Sequence, residues 1–330
     1  MTSFTTAAAT MQVLSQAAME EASRSGTRDA DLEHLFLALV LSDQVAGTTL
    51  RSAGITLARA REAVTTMHRE QLHSIGISHD ALETGRIIFH ETRGYEWTPR
   101  ALDVLKRAGD KGSGDAAAVL RELLAEPSGV IDDLLKRLGT SAENINSVLA
   151  EMSRSRPVTA RAGNTSTPGT ITGRTETFIP ADVDAVWALL SDPERMPEWN
   201  PSVGSVEVLA NDGTTDSTTW LALAPTVHPD GKPARVKEEF RRRQMELTES
   251  VQPERIAWRT SYPDLKRGNA NVLSIDLTPA PGGTQLQLTV FWARRRGWRG
   301  VVSWLLRPLQ RFLIWLGLVQ IGGGISRAFR

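Results

Sequence analysis

The hydrophobic periodicity of this chain changes once, and it changes across a stretch too poor in apolar side chains to belong to a core. Residues 153–172, SRSRPVTARAGNTSTPGTIT, consist mostly of Ser, Thr, Pro, Gly and Arg. Such a composition buries too little surface to offset the entropy of ordering and reads as a flexible linker. Before it, apolar residues recur at helical spacing; after it they alternate as in strands. A chain of 330 residues divided in this way is expected to hold two separate domains, all-α over residues 1–152 and α+β over 173–330. Charge divides at the same place. Residues 1–152 carry 15 Lys and Arg against 21 Asp and Glu, the remainder 23 against 17, and eight of the nine tryptophans follow residue 180.

In the first half, Met11, Leu14 and Ala18 mark a helix that Gly26 ends. Asp29 or Asp31 then caps a second helix, whose Leu32, Leu35, Phe36, Leu39 and Val40 form one apolar stripe. Short helices over 45–53, closed by Gly54, and 57–67 follow. The pattern then returns. Trp97-Thr98-Pro99 echoes Phe4-Thr5, with Thr98 suited to an N-cap and Pro99 to an early helical position. Residues 130–139 followed by 145–152 echo 45–54 and the helix after them. Two copies of a four-helix unit, about 4–67 and 97–152, account for the echo, since one unit alone would bury little surface.

Phe4-Thr5, Glu33-His34-Leu35 with its apolar run, and Leu50-Arg51-Ser52-Ala53-Gly54-Ile55 resemble the duplicated N-terminal domain of Clp unfoldases. The second copy departs from that pattern, with Gly112-Ser113-Gly114-Asp115-Ala116-Ala117-Ala118 standing where a second Glu-His-Leu would be. The resemblance implies a docking domain for peptides, adaptors or Clp-system proteins, and it points to Glu33 as a phosphoarginine-type receptor, a carboxylate accepting guanidinium N–H bonds. The position matching it in the second copy falls near Ala117, which has no carboxylate. As plain helix chemistry, Glu33 instead favours a helix N-terminus. No G-x-x-x-x-G-K-[ST] occurs, so these residues contain no unfoldase motor.

In the second half, residues 173–179 alternate as a strand and Pro180-Ala181-Asp182 opens a helix carrying Val183, Val186, Trp187, Leu189 and Leu190. A short helix around 193–199 follows. Strands are then expected over 203–209, 218–223, 236–251, 255–261, 271–278 and 285–292, with turn signals at Asn211-Asp212-Gly213, Pro229-Asp230-Gly231 and Pro281-Gly282-Gly283. A terminal helix is expected from about Val301 towards Arg330, kinked or restarted at Pro308. This order predicts a helix-grip fold, an antiparallel sheet around a long C-terminal helix. Ala185-Val186-Trp187-Ala188-Leu189-Leu190-Ser191-Asp192-Pro193 through Trp199-Asn200-Pro201, and later Pro253-Glu254-Arg255-Ile256-Ala257-Trp258, resemble the START-like (SRPBCC, polyketide cyclase/dehydrase) superfamily.

The aromatic set of this half, Trp187, Trp199, Trp220, Phe240, Trp258, Tyr262, Trp292 and Trp304, is a candidate cavity lining, since tryptophan offers a large apolar area and one N–H donor. Core packing is the competing reading for each. For catalysis the sequence offers only Glu239, Arg259, Tyr262 and Asp276 as loose acid–base candidates. The adjacent pair Glu238-Glu239 would point to opposite faces of a strand, and no catalytic residue is assigned. Neither a G-x-S-x-G elbow nor a dinucleotide fingerprint appears, and His34, His68, His73, His79, His90 and His228 lack metal-ligand spacing. Gly322-Gly323-Gly324 reads as a flexible break.

No metal or cofactor is expected, nor any nucleic-acid partner. With no cysteine and no signal-peptide pattern, a cytoplasmic location is the expectation. Arg299, Arg307 and Arg311 argue against a membrane span, while flanking Arg and Trp leave peripheral lipid contact through the terminal helix open. The leading functional expectation is a non-catalytic binding protein holding an apolar small molecule or lipid. A polyketide cyclase or dehydratase, and a motorless regulator competing for Clp adaptors, are the alternatives.

Overall fold

The structure is a computed structural model describing residues 3–76, 87, 94–111, 113–155, 170–208, 219–227, 232–265, 270–293 and 307–330. The chain divides into two units, Met1–Val158 and Thr159–Arg330.

In the first unit, α1 (Ser3–Arg24), β1 (Asp29–Ala30), α2 (Leu32–Val40), α3 (Val45–Ser52) and α4 (Leu57–Ser74) are followed by β2 (Glu96–Trp97), α5 (Pro99–Lys111), α6 (Ala116–Leu124), α7 (Val130–Arg137) and α8 (Ala142–Ser155). The two sets of four helices match in length at their centres. Helices α2 and α6 have nine residues each behind the N-caps Asp31 and Asp115, and α3 and α7 have eight each. Gly54 and Gly139 close α3 and α7 with φ of 80° and 78°, where a Cβ would be strained. Strands β1 and β2 pair in parallel, Asp29 with Glu96 and Ala30 with Trp97. That pairing sets Thr98 beside Asp31. The Thr98 hydroxyl donates to Asp31 Oδ1 at 2.7 Å, and Arg100 holds the same carboxylate through Nε and Nη2.

A single apolar stripe on α2 was the expectation; instead all nine of its residues are buried. The reason is its position, since α1, α3, α4, α5, α6 and α7 all touch it. Its C-terminus is closed by a buried arginine: Arg51 Nη1 donates to the carbonyls of Val40 at 2.6 Å and Ser42 at 2.8 Å. Burial pushes this guanidinium down to about 10.

The second unit is a seven-stranded sheet, antiparallel throughout, in the order β3-β9-β8-β7-β6-β5-β4. Its strands are β3 (Thr170–Ile179), β4 (Ser205–Val208), β5 (Thr219–Leu223), β6 (Arg242–Val251), β7 (Arg255–Ser261), β8 (Asn271–Ala280) and β9 (Gly283–Ala293). Helices α9 (Val183–Ser191) and α10 (Met196–Trp199) carry the chain from β3 at one edge to β4 at the other, and α11 (Arg307–Ala328) packs on β3, β9 and α10. Strand β3 begins three residues before the expected opening at 173. Alternation sets the register of the β8–β9 hairpin. Leu273, Ile275 and Leu277 lie opposite Val290, Leu288 and Leu286, all buried, and the two-residue turn Pro281-Gly282 has Gly282 at φ 76°. Together with Val186, Leu189 and Leu190 of α9 and Leu318 and Ile325 of α11 they form the unit's hydrophobic interior. This sheet and its closing helix make the helix-grip architecture.

Two expectations need correction. Residues 236–241 do not belong to a strand: Glu238–Phe240 form a 3-10 turn, with Glu238 and Glu239 both exposed. Gly322–Gly324 are no break, since α11 runs through them to Ala328. A Cβ on Gly324 would lie 2.1 Å from the Trp199 carbonyl oxygen, so the glycine is what lets the helix lie against α10. Pro308 sits in the first turn of this helix, where its missing N–H costs nothing, which agrees with a helix restarting there. The turns Asn211-Asp212-Gly213 and Pro229-Asp230-Gly231, the linker over 156–169, and the start of the terminal helix at Val301 lie outside the described residues.

Candidate functional site

Between the sheet and α11 lies a cavity of about 250 Å³, just below the ~300–1,000 Å³ of typical small-molecule sites. Its floor follows from strand register. Trp220, Met245, Thr260, Asn271 and Trp292 are cross-strand neighbours running from β5 to β9, and Leu247, Trp258, Leu273 and Val290 form the next row. Met245, Thr260, Asn271 and Trp292 of the first row line the cavity, as do Trp258, Leu273 and Val290 of the second. Helix α11 roofs it with Leu313, Ile314, Gly317, Leu318 and Ile321, and the segment Trp199–Ser202 after α10 closes one end.

Of the aromatic residues singled out in the sequence, the structure brings Trp199, Trp258, Tyr262 and Trp292 to the wall. Trp187 is a core residue of α9 instead, because helical periodicity turns it towards the interior with Val186 and Leu190. Trp220 stands behind the wall, edge-on to Trp258 with ring centroids 5.5 Å apart. Phe240, in the 3-10 turn, packs edge-on against Tyr262 at 5.4 Å. Trp304 lies outside the described residues. Three of the loose catalytic candidates point elsewhere: Glu239 is exposed, Arg259 pairs with Glu246 at 3.7 Å on the outer face, and Asp276 is bound by Arg255. Only Tyr262 reaches the cavity.

Sequence reasoning missed the polar part of the lining. Thr260 and Asn271 were within reach, lying two residues from Trp258 and Leu273 on the same strand faces. Asn200, Ser202 and Gln320 come from a loop and a helix and carry no such signal. Buried Asn200 holds its loop: its Oδ1 accepts from the Ser202 N–H at 3.1 Å and the Ser202 hydroxyl at 2.7 Å. The two wall tryptophans differ in their N–H groups. That of Trp258 donates to the Leu190 carbonyl at 3.1 Å, whereas that of Trp199, a residue only 1% exposed, has no partner.

Glu33 in the other unit is buried as the second residue of α2, the place Ala117 takes in α6. Burial, the largest single influence, pushes its carboxyl up, but the hydrogen bond from His68, the nearby His34 and a backbone N–H together hold it below the usual range. Oε1 lies 3.3 Å from His68 Nε2, and Oε2 has no hydrogen-bond partner. His34 completes a capping box, its Nδ1 accepting from the Asp31 N–H at 3.1 Å, so the proton is on Nε2, 3.0 Å from the Ser25 hydroxyl. Burial pushes the His34 imidazole below its ordinary value of 6.5. The unfolded chain therefore takes up the proton first as pH falls. Stability from the neutral ring is present above 6.5 and is lost below it. The melting temperature of this unit is accordingly expected to fall between pH 7.5 and pH 5, with His34→Gln flattening the slope; thermal melts followed by circular dichroism across that range check it.

Among the described residues no group of three or more His, Cys, Asp and Glu could hold a metal ion, and no helix is long and apolar enough to cross a membrane.

Solved structures similar to the chain include protein CV1439 from Chromobacterium violaceum, at 19% identity over 49% of this chain and 98% of that one, with a TM-score of 0.33. TTHA0849 from Thermus thermophilus is similar at 22% identity over 47% and 94%, TM-score 0.33. The di-domain ARO/CYC StfQ of the steffimycin biosynthetic pathway is similar at 13% identity over 61% and 60%, TM-score 0.35. No curated protein matches the chain. Residues 170–313 match the model of a family described as polyketide cyclase / dehydrase and lipid transport, and this stretch, a little under half of the chain, is a domain of that kind.

Proposed function

We propose that the C-terminal unit is a non-catalytic binding module that encloses an apolar small molecule or lipid. One observation carries this reading: the cavity is walled mainly by Trp, Leu, Ile, Val and Met side chains, its other polar groups are the neutral Asn200, Ser202, Thr260, Asn271 and Gln320, and Tyr262 is the sole ionisable side chain among the described residues lining it. Cyclase or dehydratase chemistry needs a positioned proton donor or acceptor. Tyr262 alone would have to supply it, and this is the observation that favours the second, enzymatic reading. The family description accommodates both. Phe312 and Leu313, each 55% exposed at the start of α11, support peripheral lipid contact beside the cavity as the route by which a lipid would enter.

For the N-terminal unit the reading is a Clp-type docking domain, so that the chain couples a bound small molecule to a peptide, an adaptor or a Clp-system protein, or competes for such adaptors as a motorless regulator. The matched lengths of α2 and α6 and of α3 and α7 support a duplicated unit. His68 already holds Oε1 of Glu33, so a guanidinium would compete with it there or reach the buried Oε2, and the second copy offers Ala117 instead of a carboxylate, so at most one such site is built.

Native mass spectrometry of the purified full chain tests both halves. The expected spectrum shows a reproducible small-molecule adduct that denaturation releases chemically unchanged, and any bound peptide or protein disappears once residues 1–155 are removed. A chain of bare mass that takes up no apolar probe overturns the binding reading, and a ligand released in altered form favours the enzyme.

A further inference from the structure

The C-terminal unit buries one charged side chain among its described residues, and that side chain stands beside the cavity. Arg243 is 9% exposed. Met245, two residues along β6 on the same face, lines the cavity, and so do the two groups Arg243 touches. Its Nη1 donates to the Ser202 carbonyl, and its guanidinium lies over the Tyr262 ring, 5.9 Å from the centroid. Its Nε is buried with no hydrogen-bond partner, and among the described residues no carboxylate lies within ion-pair distance. The neighbouring arginines of the sheet are different. Arg242, Arg255 and Arg259 are exposed and each has an acidic partner, Asp264, Asp276 and Glu246. Trp199, whose N–H is buried and unpartnered, lines the same end of the cavity as Asn200 and Ser202.

A buried cation without a counter-ion is costly, and burial pushes this guanidinium down from its ordinary value. The cost is offset when an anion completes the site, because charge-assisted hydrogen bonds are strongest away from water. An indole N–H adds a donor at the same place.

Building on the binding reading above, we propose that the ligand of this cavity is an apolar anion, an aromatic or aliphatic body carrying a carboxylate, phenolate or comparable acidic oxygen group, with Arg243 as its counter-ion and the Trp199 N–H as a second donor. The apolar wall holds the body, and the end lined by Trp199–Ser202 and Tyr262, with Arg243 directly behind Ser202 and Tyr262, selects the charge. A neutral ligand of the same shape leaves both buried donors unmatched, which is where discrimination between ligands arises.

Two fluorescent probes of one skeleton separate the contributions. 8-Anilinonaphthalene-1-sulfonate carries an anionic group, and N-phenyl-1-naphthylamine is the same molecule without it. On hydrophobicity alone the neutral probe would bind more tightly. The full chain is expected to bind the sulfonate roughly tenfold more tightly than the amine, with the sulfonate displacing the amine. Arg243→Met is expected to lower sulfonate affinity by roughly tenfold and to change amine affinity by less than about twofold. Arg259→Met, on the outer face, should change neither. Arg243→Lys keeps the charge and should keep most of the preference, which serves if the Met variant does not fold in a circular dichroism check. A neutral probe bound as tightly as the sulfonate by the unmodified chain, or a preference that survives Arg243→Met, overturns the anion assignment and leaves the binding module standing. Failure of both probes to bind overturns the two readings together.

Discussion

Gly324→Val is expected to unfold the C-terminal unit's helix–sheet packing and to lower its melting temperature by about 10 °C, a loss of at least ~3 kcal/mol. The residue sits in the interior of α11, where intrinsic propensity alone would make replacement of glycine by alanine favourable by ~0.5–1 kcal/mol. Geometry reverses that sign. A Cβ built on Gly324 lies 2.1 Å from the Trp199 carbonyl oxygen and 2.9 Å from its carbonyl carbon, and these are backbone atoms of α10 that no rotamer change can move. Trp199 is buried and closes one end of the cavity, so the displacement reaches the site. Even Gly324→Ala should therefore destabilise and weaken probe binding. A differential scanning calorimetry trace in which the C-terminal transition of the alanine variant is unchanged or raised would show that α11 does not pack on α10 in this manner.

The β8–β9 hairpin was legible because everything that specifies it is local: alternation over Leu273, Ile275 and Leu277, a Pro-Gly turn, then alternation again. Helix starts were legible for the same reason, with Asp31, Thr98 and Asp182 each accepting a bond from a backbone N–H of the first turn. The cavity was legible only in part. Tryptophan's size announces burial without saying against what, and Trp187 and Trp258 are equally conspicuous as letters. Which of them meets open space depends on register between strands far apart in sequence, as in the row from Trp220 through Met245, Thr260 and Asn271 to Trp292. The glycine triplet was misread for a related reason: local propensity favours a break there, and close packing on Trp199 and Thr177 overrides it. Arg243 could not be distinguished from Arg241 and Arg242 in the run Arg241-Arg242-Arg243, because the face it takes is set by where β6 begins.

Gly317→Phe is expected to have the opposite profile from Gly324→Val, keeping the fold and abolishing binding. Gly317 lies two turns earlier on the same helix and lines the cavity, and a Cβ built there meets no atom within 4 Å. The phenyl ring would enter the largely apolar space of the cavity in place of a ligand. Burying it contributes ~1.5–3 kcal/mol, and removing a helical glycine adds a few tenths more, partly offset by the ordering of the ring. The melting temperature should accordingly stay level or rise. With a cavity of about 250 Å³, the ring leaves too little room for a bicyclic molecule, and affinity for N-phenyl-1-naphthylamine should fall by roughly a hundredfold or more. Gly317→Ala adds one methyl group to the same open space, so it should retain binding and gain stability. Because the phenylalanine variant stays folded, a loss of probe fluorescence in it reports occupancy of the cavity itself. Unchanged probe affinity in a folded Gly317→Phe chain would place the bound molecule somewhere other than between the sheet and α11, and the binding module would then have no site in this domain.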